Sequence, residues 1–385
     1  MIRAAVMPEP GAPIEIRDYP VPDLEDGAIL LETVYSEVCG TDVHLRHGRL
    51  SGVPYPIIPG HVSVGRVSAV KGEVRDIDGR TVRPGMAVTF LDVHATCHRC
   101  WYCLVARTTT KCPERKVYGV THSAREGLFG GWSEMIYLAP DVAILALPDG
   151  LAPETVIAAG CALPTAMHAI ERAEIAIGDK VVVQGAGPVG INAAILARLS
   201  GAGDVVIVDP VRSRLDIALK FGVRAAVAID PGDPDRHVRE VREMTDNRGA
   251  DVTIEAAGVP AAFRDGLAMT RDAGRYVVVG HYSDTGTVEV NPHLDINRKH
   301  LEIRGCWGSD FSHFHKMLAV LACHGEDAGT GAGWRDLIGG IYGLGETDRA
   351  LDDVAAGRLV KALIDPTAAT ASVNARTGPD SAAAS

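Results

Sequence analysis

The apolar positions along this chain change rhythm near residue 155. Before it, short apolar stretches such as 28–35, 63–70 and 86–90 are closely punctuated by Gly and Pro. That pattern predicts an irregular, mostly β module over residues 1–150. After it, residues 180–184, 204–209, 252–256 and 275–279 read as buried strands, and 188–199, 211–221, 237–245 and 260–271 as helices. Runs this short do not alone separate a strand from a buried helix. Their alternation decides, and it predicts a parallel sheet wrapped by helices. After about residue 300 the elements mix again, and 359–364 reads as a strand able to return to the first module. The stretch 367–385, rich in Ala, Ser and Thr, is expected to be a disordered tail.

Composition adds limits to this picture. The 385 residues are 46% hydrophobic and 23% charged, which is enough for two cores. A net charge of −11 argues against nucleic acid or an anionic membrane as partner. Met1 to Asp18 lacks a basic start followed by an apolar run, and no stretch reaches the roughly 20 apolar residues a membrane span needs. A cytoplasmic location is therefore expected. Eight cysteines in a reducing compartment point to metal ligands rather than disulfides.

The first strand of the alternating region runs into Gly185-Ala186-Gly187-Pro188-Val189-Gly190, a G-x-G-x-x-G turn that opens a helix. Gly185 permits the tight turn, Gly187 lets backbone approach a pyrophosphate, and Gly190 lets helix pack on strand. Pro188 and Val189 start the helix, whose free N–H groups face the phosphates. Asp209 ends the next strand, placed to accept hydrogen bonds from a ribose 2′-hydroxyl. A carboxylate there favours NAD over NADP. Arg212 and Arg214 follow and could instead meet a 2′-phosphate.

Cys97, Cys100, Cys103 and Cys112 form C-x2-C-x2-C-x8-C. Four thiolates fill the tetrahedral shell of zinc and leave no open position, so this is a structural site. An iron–sulfur cluster also uses four thiolates. Arg99, Lys111 and Arg115 are placed to offset the charge, and His94 and His98 are spare donors.

Three further segments carry isolated candidates: Cys39-Gly40-Thr41-Asp42-Val43-His44, Pro59-Gly60-His61-Val62, and Gly160-Cys161-Ala162. In this order around the cysteine loop and the glycine turn, they resemble the zinc-containing medium-chain alcohol dehydrogenase family over about residues 1–365. The resemblance implies a two-domain α/β fold. A GroES-like, mostly β catalytic domain would comprise residues 1–154 and 300–366. A doubly wound Rossmann domain would span 155–299. It implies a catalytic zinc held by Cys39, His61 and Cys161, and hence two zinc ions per chain. It implies reversible hydride transfer between an alcohol and NAD. The proton would leave through Thr41, the cofactor ribose and His44, with Asp42 supporting His61. Lys361 would face the cofactor phosphates, the 251–258 segment would end near the nicotinamide, and the chain would form a homodimer or homotetramer.

Two departures from the family pattern stand out. Val62 occupies a position where many relatives carry a Glu that approaches the metal. The gap before Cys112 is eight residues, where seven is commoner, and a one-residue bulge is expected. Thr41, Leu50, Trp101 and Trp307 are candidate pocket residues. The basic cluster His44, Arg46, His47 and Arg49 suggests an anionic alcohol as an alternative substrate. A polyol is another alternative, though Val62 counts against it. A zinc-free quinone or enoyl reductase, or a non-catalytic NAD(H)-binding protein, would leave the three-ligand pattern without a purpose.

Overall fold

A computed structural model describes residues 1–368; the expected tail falls mostly outside them. Six parallel strands form the nucleotide-type sheet. In spatial order they are Ala225–Ala228, Asp204–Asp209, Lys180–Gln184, Ala250–Glu255, Thr270–Val278 and Glu302–Gly305. Counted in chain order this is 3-2-1-4-5-6, the doubly wound arrangement, with its switch point between Lys180–Gln184 and Ala250–Glu255. Val181, Val182 and Val183 are fully buried, as a strand covered on both faces requires. Helices Pro188–Leu199, Arg212–Lys220, Arg236–Met244 and Pro260–Met269 supply the crossovers. The sheet runs past residue 299, where the sequence set its boundary, because Glu302–Gly305 pairs with Thr270–Val278.

The second large sheet has seven strands and is mainly antiparallel. Its centre is the long strand Ile29–Val38, flanked by Ser63–Val70, Met135–Leu138 and Lys361–Ile364. Lys361–Ile364 returns to the first module as the sequence suggested. Its register sets Leu363 against Glu37. Lys361, two residues earlier on the same strand face, is therefore a diagonal neighbour of Glu37.

Helices Pro153–Ala159 and Ala162–Ala173 join the two sheets. One continuous core includes Val64 from the antiparallel sheet and Val62 just before it, Val156 and Leu163 from these helices, and Val181 and Ile254 from the parallel sheet. The cleft between the sheets lies beside this shared core. Among the described residues, no helix is long and apolar enough to cross a membrane.

Candidate active site

Cys39 sits where strand Ile29–Val38 gives way to the short helix Gly40–Arg46. It is the helix cap: its Sγ accepts from Thr41 N at 3.2 Å, and its own N–H donates to Asp42 Oδ2 at 2.9 Å. His61 follows the left-handed Gly60 and lies two residues before the start of strand Ser63–Val70. Cys161 lies between the two bridging helices. The three side chains converge: Cys39 Sγ is 3.8 Å from His61 Nε2, and both share a 4.8 Å cluster with Cys161 Sγ.

The fourth member is Glu37, which the sequence did not single out. Its Oε1 lies 3.3 Å from His61 Nε2, and its Oε2 accepts from Lys361 Nζ at 2.7 Å. Both oxygens are 3.2 Å from Cys161 N. Lys361 is thus fully buried against Glu37 and does not face cofactor phosphates as the sequence suggested. The pairing also explains Gly160: a Cβ there would fall 1.8 Å from Glu37 Oε2, and its φ is +49°. The available signal was a carboxylate two residues before a candidate ligand cysteine, on the same face of one extended strand.

The electrostatics of this cluster are those of a cation site. Burial opposes ionisation of Cys39, but a hydrogen bond from Cys161 and the charges of His61 and Lys361 outweigh it and hold its pKa well below the usual thiol range. Burial also opposes protonation of His61, yet Cys39, Glu37 and Asp42 hold its pKa well above the ordinary range. Two sulfurs, an imidazole nitrogen and a carboxylate oxygen are a donor set that suits zinc. The expected Asp42–His61 contact is not made. Among the described residues Asp42 Oδ1 and His61 Nδ1 are buried without a hydrogen-bond partner, and Asp42 caps the helix instead.

The cleft outside this cluster is lined by Thr41, His44 and Val62 on one side, and by Val189, Ala256, Val279 and Gly280 from the switch point of the parallel sheet on the other. Buried Glu255 braces that second side. It accepts from Ala257 N at 2.8 Å and Gly280 N at 3.1 Å, tying together the turns after two neighbouring strands. The glycine turn is equally constrained: a Cβ on Gly190 would lie 1.7 Å from Gly185 O, whereas one on Gly187 would meet nothing within 4 Å. The space above Gly187 and the free N–H groups at the start of helix Pro188–Leu199 suit a pyrophosphate. Asp209 spends one oxygen on Ala186 N and the other on Val211 N, both at 2.7 Å. Arg214 leans toward Gly357, with its Nε buried and without a hydrogen-bond partner among the described residues.

The other cysteine cluster assembles as its spacing predicts. Cys97, Cys100, Cys103 and Cys112 all lie within 4.8 Å of one another as free thiols. The eight-residue gap holds a left-handed Arg107 and a tight turn at Thr109–Lys111. His94 pairs with His122 at 2.9 Å and His98 with Thr96 at 3.0 Å, so neither joins the sulfurs. Arg99 pairs with Glu114, while Lys111 and Arg115 lie over the Trp307 ring.

The pocket candidates divide. Thr41 and Trp307 line the cleft. Trp101 is exposed on the four-cysteine loop, and Leu50 packs into a separate core. Arg46 is paired with Asp348 and Asp352, and His47 and Arg49 face solvent. Of that basic cluster only His44 reaches the cleft.

Comparison with known proteins agrees with this geometry. Residues 25–149 match the alcohol dehydrogenase GroES-like domain and residues 188–322 the zinc-binding dehydrogenase domain. A 5-exo-hydroxycamphor dehydrogenase from Pseudomonas putida is 35% identical over 95% of this chain and 99% of its own. The chain belongs to the zinc-containing medium-chain alcohol dehydrogenase family. Within that family, an alcohol dehydrogenase structure from Thermotoga maritima superposes with a TM-score of 0.88 at 29% identity, covering 94% of this chain and 99% of the other. A putative zinc-binding dehydrogenase from Sinorhizobium meliloti, bound to NADP, gives a TM-score of 0.81 at 26% identity, covering 95% and 99%. The two-domain fold is that of the family, and the chain is a dehydrogenase by descent.

Proposed function

We propose that this chain is a zinc-dependent dehydrogenase that transfers hydride between an alcohol and NAD, and reduces the matching aldehyde or ketone in reverse. One observation carries this reading: Cys39, His61 and Cys161, far apart in sequence, share one buried cluster that opens on the cleft lined by Val279 and Gly280. These three residues would hold the metal, with Glu37 within reach of the fourth position. When bound, zinc would supply Lewis acidity at the carbinol oxygen and NAD would accept the hydride.

The chain's own residues then have defined tasks. Val62 and Val279 keep the cleft apolar and exclude water beside the reacting carbon. Thr41 and His44 line the same wall, within one helix. Burial, followed by the charge of Arg49, holds the His44 pKa below the ordinary histidine range, and its Nδ1 has no partner among the described residues. A neutral imidazole so placed can accept the proton passed along from Thr41. Cys97, Cys100, Cys103 and Cys112 would hold a second, structural zinc.

NAD is favoured because Asp209 sets a carboxylate at the end of the second strand, where it would repel a 2′-phosphate. Arg214 is the candidate contact on the adenosine side; Lys361 is withdrawn from that role. An alicyclic secondary alcohol fits a mostly apolar lining and the named substrate of the Pseudomonas putida relative. A polyol is the second reading, and the argument against it from Val62 falls, since Glu37 brings a carboxylate to the cluster after all. A homodimer or homotetramer in the cytoplasm is part of the same proposal.

Metal analysis combined with a screen of alcohols against NAD tests the proposal. Two zinc ions per chain and NAD reduction are expected, with Cys39→Ser retaining one zinc and losing turnover. Normal turnover by Cys39→Ser would overturn the assignment.

A further inference from the structure

The lobe built on the four-cysteine cluster does more than hold its own loop together. Its returning segment lines the catalytic cleft through Thr110 and Arg115. Thr109 Oγ1 also donates to Asp310 at 2.9 Å, which pins the lobe to the loop that carries Trp307. Trp307 is held by its own Nε1 hydrogen bond to Tyr282 O at 3.1 Å, and the two rings stack with planes 7° apart. Arg115 lies over the Trp307 ring at 5.3 Å. The lobe spends Arg99 on Glu114, but among the described residues Arg115 has no carboxylate within 4 Å.

A guanidinium in a mostly apolar cleft is costly to leave unpaired once a ligand displaces water from it. The nearby Asp92 does not satisfy it. Its carboxyl, which also lines the cleft, is pushed above the usual range by burial, with His61, then the Val93 backbone hydrogen bond and only last Arg115 opposing, and the two side chains form no ion pair. The cleft therefore offers a flat aromatic wall, apolar surface near Val62, and a fork of hydrogen-bond donors with no acceptor among the described residues.

We infer that Arg115 is a specificity-determining residue that selects alcohols carrying a second oxygen acceptor, a ketone carbonyl or a carboxylate, away from the carbinol carbon. The inference rests on the dehydrogenase reading above and moves the anion-recognising role from Arg46, His47 and Arg49 to the lobe. Planar donors suit both acceptors, and the carboxylate can be held by two parallel bonds.

Three alcohols on one ring test this: cyclohexanol, 4-hydroxycyclohexanone and 4-hydroxycyclohexanecarboxylate, each measured as kcat/KM with NAD. The wild-type protein is expected to favour one or both acceptor-bearing alcohols over cyclohexanol by about tenfold or more. Arg115→Met is expected to bring the ratios to near unity while zinc content and NADH binding stay at wild-type levels. Whichever of the two acceptor-bearing alcohols gains more identifies the natural acceptor. Lys111→Met is the control for charge alone, since Lys111 sits over Trp307 at 4.1 Å without lining the cleft. It should keep the wild-type ratios. Wild-type protein without preference, unchanged ratios in Arg115→Met, or equal loss in Lys111→Met each overturns the inference while cyclohexanol oxidation leaves the dehydrogenase reading intact. If the wild type oxidises none of the three while other alcohols in the screen still reduce NAD, this inference falls alone; if no alcohol in the screen reduces NAD, the proposed function falls with it.

Discussion

The two cysteine-rich clusters are built on opposite plans. The lobe cluster draws all four sulfurs from residues 97 to 112, with no carboxylate in the group. The cleft cluster gathers Glu37, Cys39, His61 and Cys161 from three separate segments, and needs Lys361 from a fourth. The first is a local staple whose geometry follows from spacing. The second is a product of the whole fold: its electrostatic balance depends on strand register, on Gly160, and on helices that join the two sheets. A local site can be lost without dismantling the distant one. Disturbing the dispersed site disturbs the core around it.

This contrast can be broken at several points. The largest effect is expected from Cys161→Ser. Loss of a metal ligand should cost several kcal/mol of transition-state stabilisation, on the order of a thousandfold in kcat/KM, with the lobe zinc retained. Stopped-flow NAD reduction and metal analysis on one sample check both halves. Lys361→Met comes next. It leaves the buried Glu37 carboxylate without its ammonium partner and should destabilise the fold by about 3–5 kcal/mol, while pairing it with Glu37→Gln should recover much of the loss. Chemical denaturation of the two single variants and the double reads this directly. If Lys361→Met unfolds like wild type, the pair is not a structural anchor.

Cys112→Ser sharpens the other side. One zinc should be lost, and limited proteolysis should cut first between residues 97 and 112, with the parallel sheet still folded. Activity should fall too, by roughly tenfold, through Arg115 and the Thr109–Asp310 contact rather than through the catalytic ligands. The smallest effect concerns His44. Because its pKa is held below the ordinary histidine value, alcohol oxidation should remain flat as pH falls to about 6.5 and drop only below it, by up to about tenfold per unit. His44→Gln should remove that break. A wild-type break above 6.5 would show that another group controls it.

Legibility followed the same division. The glycine turn, the lobe cysteines and the central strands of the parallel sheet announced themselves because their signals are contiguous in the chain. Strand Ala225–Ala228 gave no signal, since alanines at a sheet edge carry little apolar bulk. Strand Ile338–Tyr342 was hidden by Gly339 and Gly340, which weaken any strand pattern. The helix expected over 260–271 stops at Met269, because Thr270 enters the next strand and pairs its hydroxyl with Thr253 at 2.8 Å. Lys361 could be mistaken for a phosphate contact because nothing local links it to Glu37; the register of two strands makes the pair. Arg115 was assigned to the thiolates beside it in sequence, whereas the fold turns it toward Trp307.

The Glu37–Lys361 pair also imposes an order on assembly. During synthesis Glu37, Cys39, His61 and Cys161 all emerge from the ribosome well before Lys361. Until the strand Lys361–Ile364 inserts beside Ile29–Val38, the carboxylate has no ammonium to face, and water must keep access to what will become a fully buried ion pair. Completion of the Glu37, Cys39, His61 and Cys161 cluster is therefore a late event, governed by the arrival of one strand.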